Sequence, residues 1–245
     1  MNLRRLLFLL LSFVIFLAGC NKTVEVESTT TIGYSNTIAS STETTTEEQT
    51  TKPQSQYQWL LDNYYTCLNE KWGNKRVMNN GISILVTYAY EGNALDNLGY
   101  LEKDLDGDGT NELIIGALGG DPFILNQVID MFTYKDGQLK KVYESWERSR
   151  YYSLSNGQLY NEGSGSAALS MRFVYQYQSG HLEFVEGLIY DGFENRDNPC
   201  FKTPQEDLDH SDDEHLSSEE AVAFSNKYEA MKTTWDYTPF SQLYN

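Results

Sequence analysis

Asp104, Asp106, Asp108 and Glu112 fall at alternate or near-alternate positions of one short stretch, Asp104–Leu105–Asp106–Gly107–Asp108–Gly109–Thr110–Asn111–Glu112. Carboxylates packed this closely repel one another unless a cation collects them. Hard cations suit such a donor set, and Ca²⁺ takes six to eight oxygens at about 2.3–2.6 Å. Gly109 lets the chain turn sharply inside the stretch. The spacing predicts a Ca²⁺ site formed by Asp104, Asp106, Asp108, the Thr110 carbonyl and Glu112. Its expected role is structural: the ion would pin a turn. The plainer alternative is a solvated Asp/Gly turn that binds nothing; four acids in register favour the ion.

The same residues are similar to the start of the EF-hand calcium loop, with Asp104, Asp106 and Asp108 as the first three ligands, then Thr110 and Glu112. The likeness ends where the EF-hand has its bidentate glutamate, because Ile115 stands there and the flanks look like strands. The stretch resembles more closely the D-x-D-G-D-G-x-x-E loops found between strands in FG-GAP-type, integrin-like repeats and in extracellular bacterial proteins. That resemblance covers the loop and its immediate flanks, so it implies ion binding and no whole-chain relationship. Without the last ligand, the expected affinity is that of extracellular modules, about 10⁻⁴–10⁻³ M. The loop, the Arg150–Tyr151–Tyr152 segment and Gly163–Ser164–Gly165–Ser166–Ala167 together resemble secreted lipoproteins of Firmicutes, a likeness that implies no particular activity.

Other chemistry-bearing groups are weaker. His210–Ser211–Asp212–Asp213–Glu214–His215, preceded by Asp207 and Asp209, has residue types that hold Zn²⁺. The two histidines are not spaced as a helical pair and no third lies near, so a solvated acidic loop is favoured. Gly163 to Ser166 lacks the G-x-S-x-G order of a nucleophile elbow and reads as a turn or bulge. Arg148, Arg150, Tyr151 and Tyr152 could line an anion or sugar site, although a strand with surface cations accounts for them as well. Four Trp and eighteen Tyr permit carbohydrate stacking, yet most belong in a core or on strand surfaces.

The calcium loop lies where the chain pattern changes. Before it, Leu60, Tyr64, Cys67, Leu68 and Trp72 recur at helical spacing, predicting an amphipathic helix over 57–72 with Gly73–Asn74 as its C-cap. Ile82, Ile84 and Val86 alternate with Ser83, Leu85 and Thr87, leaving a short strand or a second helix open. From residue 98 onward, β-formers alternate with tight-turn residues. Asp136–Gly137–Gln138–Leu139, Asn156–Gly157–Gln158–Leu159 and Ser179–Gly180–His181–Leu182 repeat one turn pattern, the strongest short-range hairpin signal. The prediction is an α+β fold: an antiparallel meander over 98–190, curled or barrel-like, between an N-terminal and a C-terminal helix. Residues 191–215 read as a long acidic loop. Ser217–Ser218–Glu219–Glu220 has the form of a capping box opening a helix to about residue 232, followed by an aromatic tail, Trp235 to Phe240.

The first residues set an expectation of location. Arg4 and Arg5 precede an apolar run from Leu6 to Leu17, too short to span a bilayer stably. The sequence Leu17–Ala18–Gly19–Cys20 resembles the lipobox of bacterial lipoproteins. That resemblance implies diacylglyceryl transfer to the Cys20 sulfur, cleavage before Cys20 and removal of 1–19 as a signal peptide. Residues 20–56, rich in Ser, Thr and Glu, cannot offset the entropy of ordering and read as a spacer. Residues 57–245 remain for one globular domain. Of the remaining cysteines, Cys67 and Cys200 could form one bridge, but the helical position of Cys67 favours a buried free thiol.

The formal charge is −17. So acidic a chain repels nucleic acid and anionic headgroups, so membrane contact would come from the lipid on Cys20. The expectation is a cell-membrane lipoprotein on the extracellular face, without a catalytic signature, that carries a Ca²⁺ loop and binds an extracellular protein or glycan. The alternative is a secreted hydrolase acting on cell wall or polysaccharide through paired carboxylates.

Overall fold

The apolar stripe read from the sequence forms helix α1, Gln58–Glu70, whose Leu60, Leu61, Tyr64, Cys67 and Leu68 are buried. The structure is a computed structural model that describes residues 55–193 and 196–244. The signal segment, Cys20 and the spacer up to residue 54 lie outside the described residues.

Helix α1 stops earlier than expected, because Lys71 takes the left-handed conformation (φ 51°) and closes the helix end. Gly73 therefore does not cap α1; it is the N-cap of a short helix α2, Asn74–Asn79. The ambiguous 82–86 segment is neither strand nor α-helix. It leads into a 3₁₀ helix, Ile84–Tyr90, opened by the Ser83 hydroxyl accepting the Leu85 N–H. A single turn, α3 (Ala94–Asn97), leads into the sheet.

The strands are β1 (Leu98–Lys103), β2 (Glu112–Ala117), β3 (Gln127–Lys135), β4 (Gln138–Glu144), β5 (Ser149–Ser153) and β6 (Leu159–Ser164). They continue as β7 (Leu169–Gln178), β8 (His181–Asp191), β9 (Cys200–Thr203), β10 (Glu214–Leu216) and β11 (Thr238–Pro239). All lie in one antiparallel sheet of order β10-β9-β8-β7-β6-β5-β3-β2-β1-β11, with β4 paired to β3 beside β5. The fold is thus α+β with an eleven-stranded meander and helices at both ends. It is not the curled or barrel-like sheet expected: the strand order ends in two separate edges and the sheet is neither closed nor strongly curled.

The repeated turns make the meander. Asp136–Gly137 and Ser179–Gly180 each place two successive residues at positive φ, the geometry a two-residue hairpin needs and which glycine supplies without strain. The 191–215 segment is not all loop, because β9 pairs with β8 and β10 with β9.

Alternation along β2 divides the core. Leu113, Ile115 and Ala117 join the layer beneath α1 and the 3₁₀ helix, together with Leu98, Ile129 and Phe132. Ile114 points to a second layer with Val128, Met131, Phe173, Tyr175, Ile189, Phe201 and Tyr237. Each such side chain contributes about 1.5–3 kcal/mol on burial. The aromatic tail packs as expected: Phe240 is fully buried, and Tyr237 lies against Gly116 so closely that a Cβ there would fall 2.2 Å from its ring. Helix α4, Ser218–Glu229, carries the expected capping box between Ser217 and Glu220. It packs Phe224 and Tyr228 on Leu154, Tyr160 and Val174. Cys67 is buried and Cys200 half-buried, both as free thiols.

Candidate metal centre

The acidic loop links β1 to β2 and is closed by its own aspartates. Asp104 Oδ1 accepts the Gly107 N–H at 2.7 Å and Oδ2 the Gly109 N–H at 2.9 Å. Asp106 accepts the Asp108 N–H at 3.3 Å, and Asp108 the Thr110 N–H at 2.7 Å. Gly107 and Gly109 have φ of 79° and 90°, which lets the backbone fold back beneath the carboxylates. These N–H donors, Gly109 first, hold the Asp104 carboxyl below its usual range, so it stays ionised under mild acid.

The three aspartates meet at one point: one carboxylate oxygen from each lies within 4.8 Å of the others. Oxygens on opposite sides of a Ca²⁺ shell are about 5 Å apart, twice the bond length. The spacing therefore fits a single hard cation, and the donor set is all oxygen. Asp108 is exposed and the other two half-buried, leaving room for water to complete the shell.

Glu112 stands apart from this cluster. It opens β2 and is fully buried. Its Oε2 accepts the Leu105 N–H at 3.0 Å; Oε1 accepts the Thr133 hydroxyl at 3.0 Å and the Tyr177 hydroxyl at 2.8 Å. Burial pushes its pKa up, against the pull of those donors. The structure thus brings Asp104, Asp106 and Asp108 together and ties Glu112 to the loop through the Leu105 N–H. Thr110 is half-buried and donates its N–H to Asp108.

Sequence reasoning missed the partners from the far side of the sheet. Three strands separate β2 from β7, yet Tyr177 near the end of β7 reaches Glu112, and the Ser179 N–H of the β7–β8 turn donates to Asp106 Oδ2 at 2.6 Å. The Ser179–Gly180 turn signal is plain in the sequence; nothing in it announces where the turn docks. A cleft of about 340 Å³ lies between the two turns and the loop, lined by Asp108, Asp136, Tyr134 and Tyr177 among others.

The other sequence candidates resolve as structural features. Arg150 pairs with Glu162 at 3.0 Å. Gly163 and Ser164 finish β6, and Gly165 and Ser166 send their N–H groups to the Leu169 carbonyl, as a turn does. His210 and His215 both lie tilted against Phe201, at 4.2 and 4.4 Å between ring centroids. Among the described residues, the three loop aspartates are the only such cluster of potential metal ligands.

Comparison with known proteins finds no matching family model, no similar curated protein and no similar solved structure.

Proposed function

We propose that this chain is a membrane-anchored extracellular lipoprotein whose domain is a binding module stiffened by Ca²⁺ in the 104–112 loop. The observation that carries the ion is the convergence of the three aspartate oxygens within 4.8 Å of one another. The loop is tied through Asp106 and Glu112 to the β7–β8 turn and the end of β7, so an ion there would fix two distant parts of the sheet together. Glu112 acts in this reading from beneath, orienting the loop, with Asp104, Asp106 and Asp108 in contact with the ion. Calorimetric titration of the full chain with CaCl₂ is expected to give a single weak site, of order 10⁻⁴–10⁻³ M. Asp106→Ala combined with Asp108→Ala should abolish it, and Mg²⁺ should substitute poorly because it demands a tighter octahedron. No heat at several millimolar Ca²⁺ from a folded sample would leave the loop as an acidic turn.

The anchor rests on the lipobox-like Leu17–Ala18–Gly19–Cys20. Among the described residues no helix is long and apolar enough to cross a membrane. Cys20→Ser should move the protein from the membrane to the soluble fraction; unchanged fractionation would refute the anchor.

A further inference from the structure

Helix α4 leaves part of its side of the sheet uncovered. Between the helix and β7, β8 and β9 runs a groove of about 420 Å³, within the range that holds small molecules. Ser170 and Arg172 of β7, Tyr190 of β8, and Ser218, Val222 and Asn226 of α4 line it. The chain carries 35 Asp and Glu against 18 Lys and Arg, yet no carboxylate of the described residues lines this groove.

Among the described residues its one charge is Arg172, which forms no ion pair with a carboxylate. The residue opposite Arg172 on the neighbouring strand is Glu162. Its two oxygens already pair with other cations, one with Arg150 at 3.0 Å and the other with Lys232 at 2.7 Å. Lys227 is likewise paired, with Glu186 at 2.9 Å. Arg172 alone of these cations has no carboxylate partner among the described residues; it lies beside the Tyr160 phenol, and its Nε is buried without a hydrogen bond. A guanidinium in these surroundings suits a carboxylate, which it can grip with two parallel bonds.

The remaining lining narrows the ligand. Serine hydroxyls and the Asn226 amide are neutral groups that both donate and accept, as is the Tyr190 hydroxyl, and they match a polyhydroxylated ring. Tyr190 and Val222 stay 42% and 57% exposed and offer apolar surface to a ring face. We infer that this groove binds a pyranose bearing a carboxylate, with Arg172 on the carboxylate and Tyr190 against the ring. The inference builds on the binding-module reading and does not involve the calcium loop.

Titration of the full chain with sodium D-glucuronate and with N-acetylneuraminate, followed by ligand-observed NMR, tests it. Binding in the millimolar range is expected, with D-glucose and acetate each at least about tenfold weaker. Arg172→Gln should weaken the acidic sugars about tenfold or more. Val222→Trp, an exposed position that would fill the groove without entering the core, should block them. Asp106→Ala with Asp108→Ala should leave this binding intact, so failure of the calcium site and failure of the groove are read separately. No binding of either acidic sugar at tens of millimolar would overturn the inference. So would acetate or glucose binding as well as glucuronate, or binding unchanged in the folded Arg172→Gln and Val222→Trp variants.

Discussion

Asp130 and Asp104 carry the same carboxyl group in opposite surroundings. Asp130 is completely buried under α1, where Oδ2 accepts the Tyr64 hydroxyl and the Ser83 N–H, and Oδ1 meets Lys141 Nζ at 2.8 Å. Burial drives its pKa up to about 6 in spite of those three partners. Asp104 sits in the surface loop, and backbone N–H groups drive its pKa down. The difference teaches that desolvation outweighs even a lysine when the site is dry, while a few amide dipoles suffice where water remains. The interior acid organises the packing of α1 on the sheet. The surface acids stay charged and keep oxygens available to an ion.

The widest gap between the two should appear on truncation. Asp130→Ala strands the Tyr64 hydroxyl and the Ser83 N–H in the core, and is expected to cost about 3–5 kcal/mol in urea denaturation. A loss below about 1 kcal/mol would erase the distinction between the interior and surface acids.

A smaller effect lies in the pH dependence. Folding raises the Asp130 pKa from about 4 to about 6, so the fold favours the neutral acid. The contribution is complete below pH of about 4 and is lost as pH rises through about 6, about 3 kcal/mol in all. The groups facing Asp130 are Lys141, Tyr64, Tyr143 and, through Lys141, Glu144; burial holds the Tyr64 and Tyr143 phenols far above this window. Stability curves measured from pH 4 to 7 should therefore flatten in Asp130→Asn relative to the parent. Parallel curves would show that Asp130 does not titrate there.

The surface acids are expected to add least. Ca²⁺ at 100 times its dissociation constant should stabilise the fold by about 2.7 kcal/mol, read as a rise in melting temperature. The Asp106→Ala, Asp108→Ala variant should lack that rise while Asp130→Asn keeps it. A calcium response that depended on Asp130 instead would merge the two regions into one system.

Much of this architecture is legible in the residues. Asp136–Gly137 and Ser179–Gly180 announce hairpins because two positive φ angles in succession exclude most other pairs. Ser217 and Glu220 announce α4 because the capping box is entirely local. Strands β9 and β10 are hidden: they are four and three residues long, lie among prolines and acids, and exist because the edge of β8 accepts β9 and β9 in turn accepts β10. In the loop, the convergence of Asp104, Asp106 and Asp108 follows from spacing. The place of Glu112 does not, because Thr133 and Tyr177 come to it from β3 and β7. Asp130 has no local signal at all. A lone acid in an apolar run reads as a surface position until Tyr64, Ser83 and Lys141 close over it.

The strand order ends in two borders, and fragments draw both, while β4 leaves a third edge beside β5. Strand β11 is two residues long, and one of the two, Pro239, has no amide hydrogen to offer a neighbour. Beyond its reach the rim of β1 carries Glu102 and Lys103, and at the opposite border β10 is three residues long with Glu214 and His215 exposed. A second molecule arriving at either border finds too few donors in register to lengthen the ladder, and charge where it would have to dock. At these two ends, then, crowding many copies together on a surface should not lengthen the sheet; any edge-to-edge growth should start from β4.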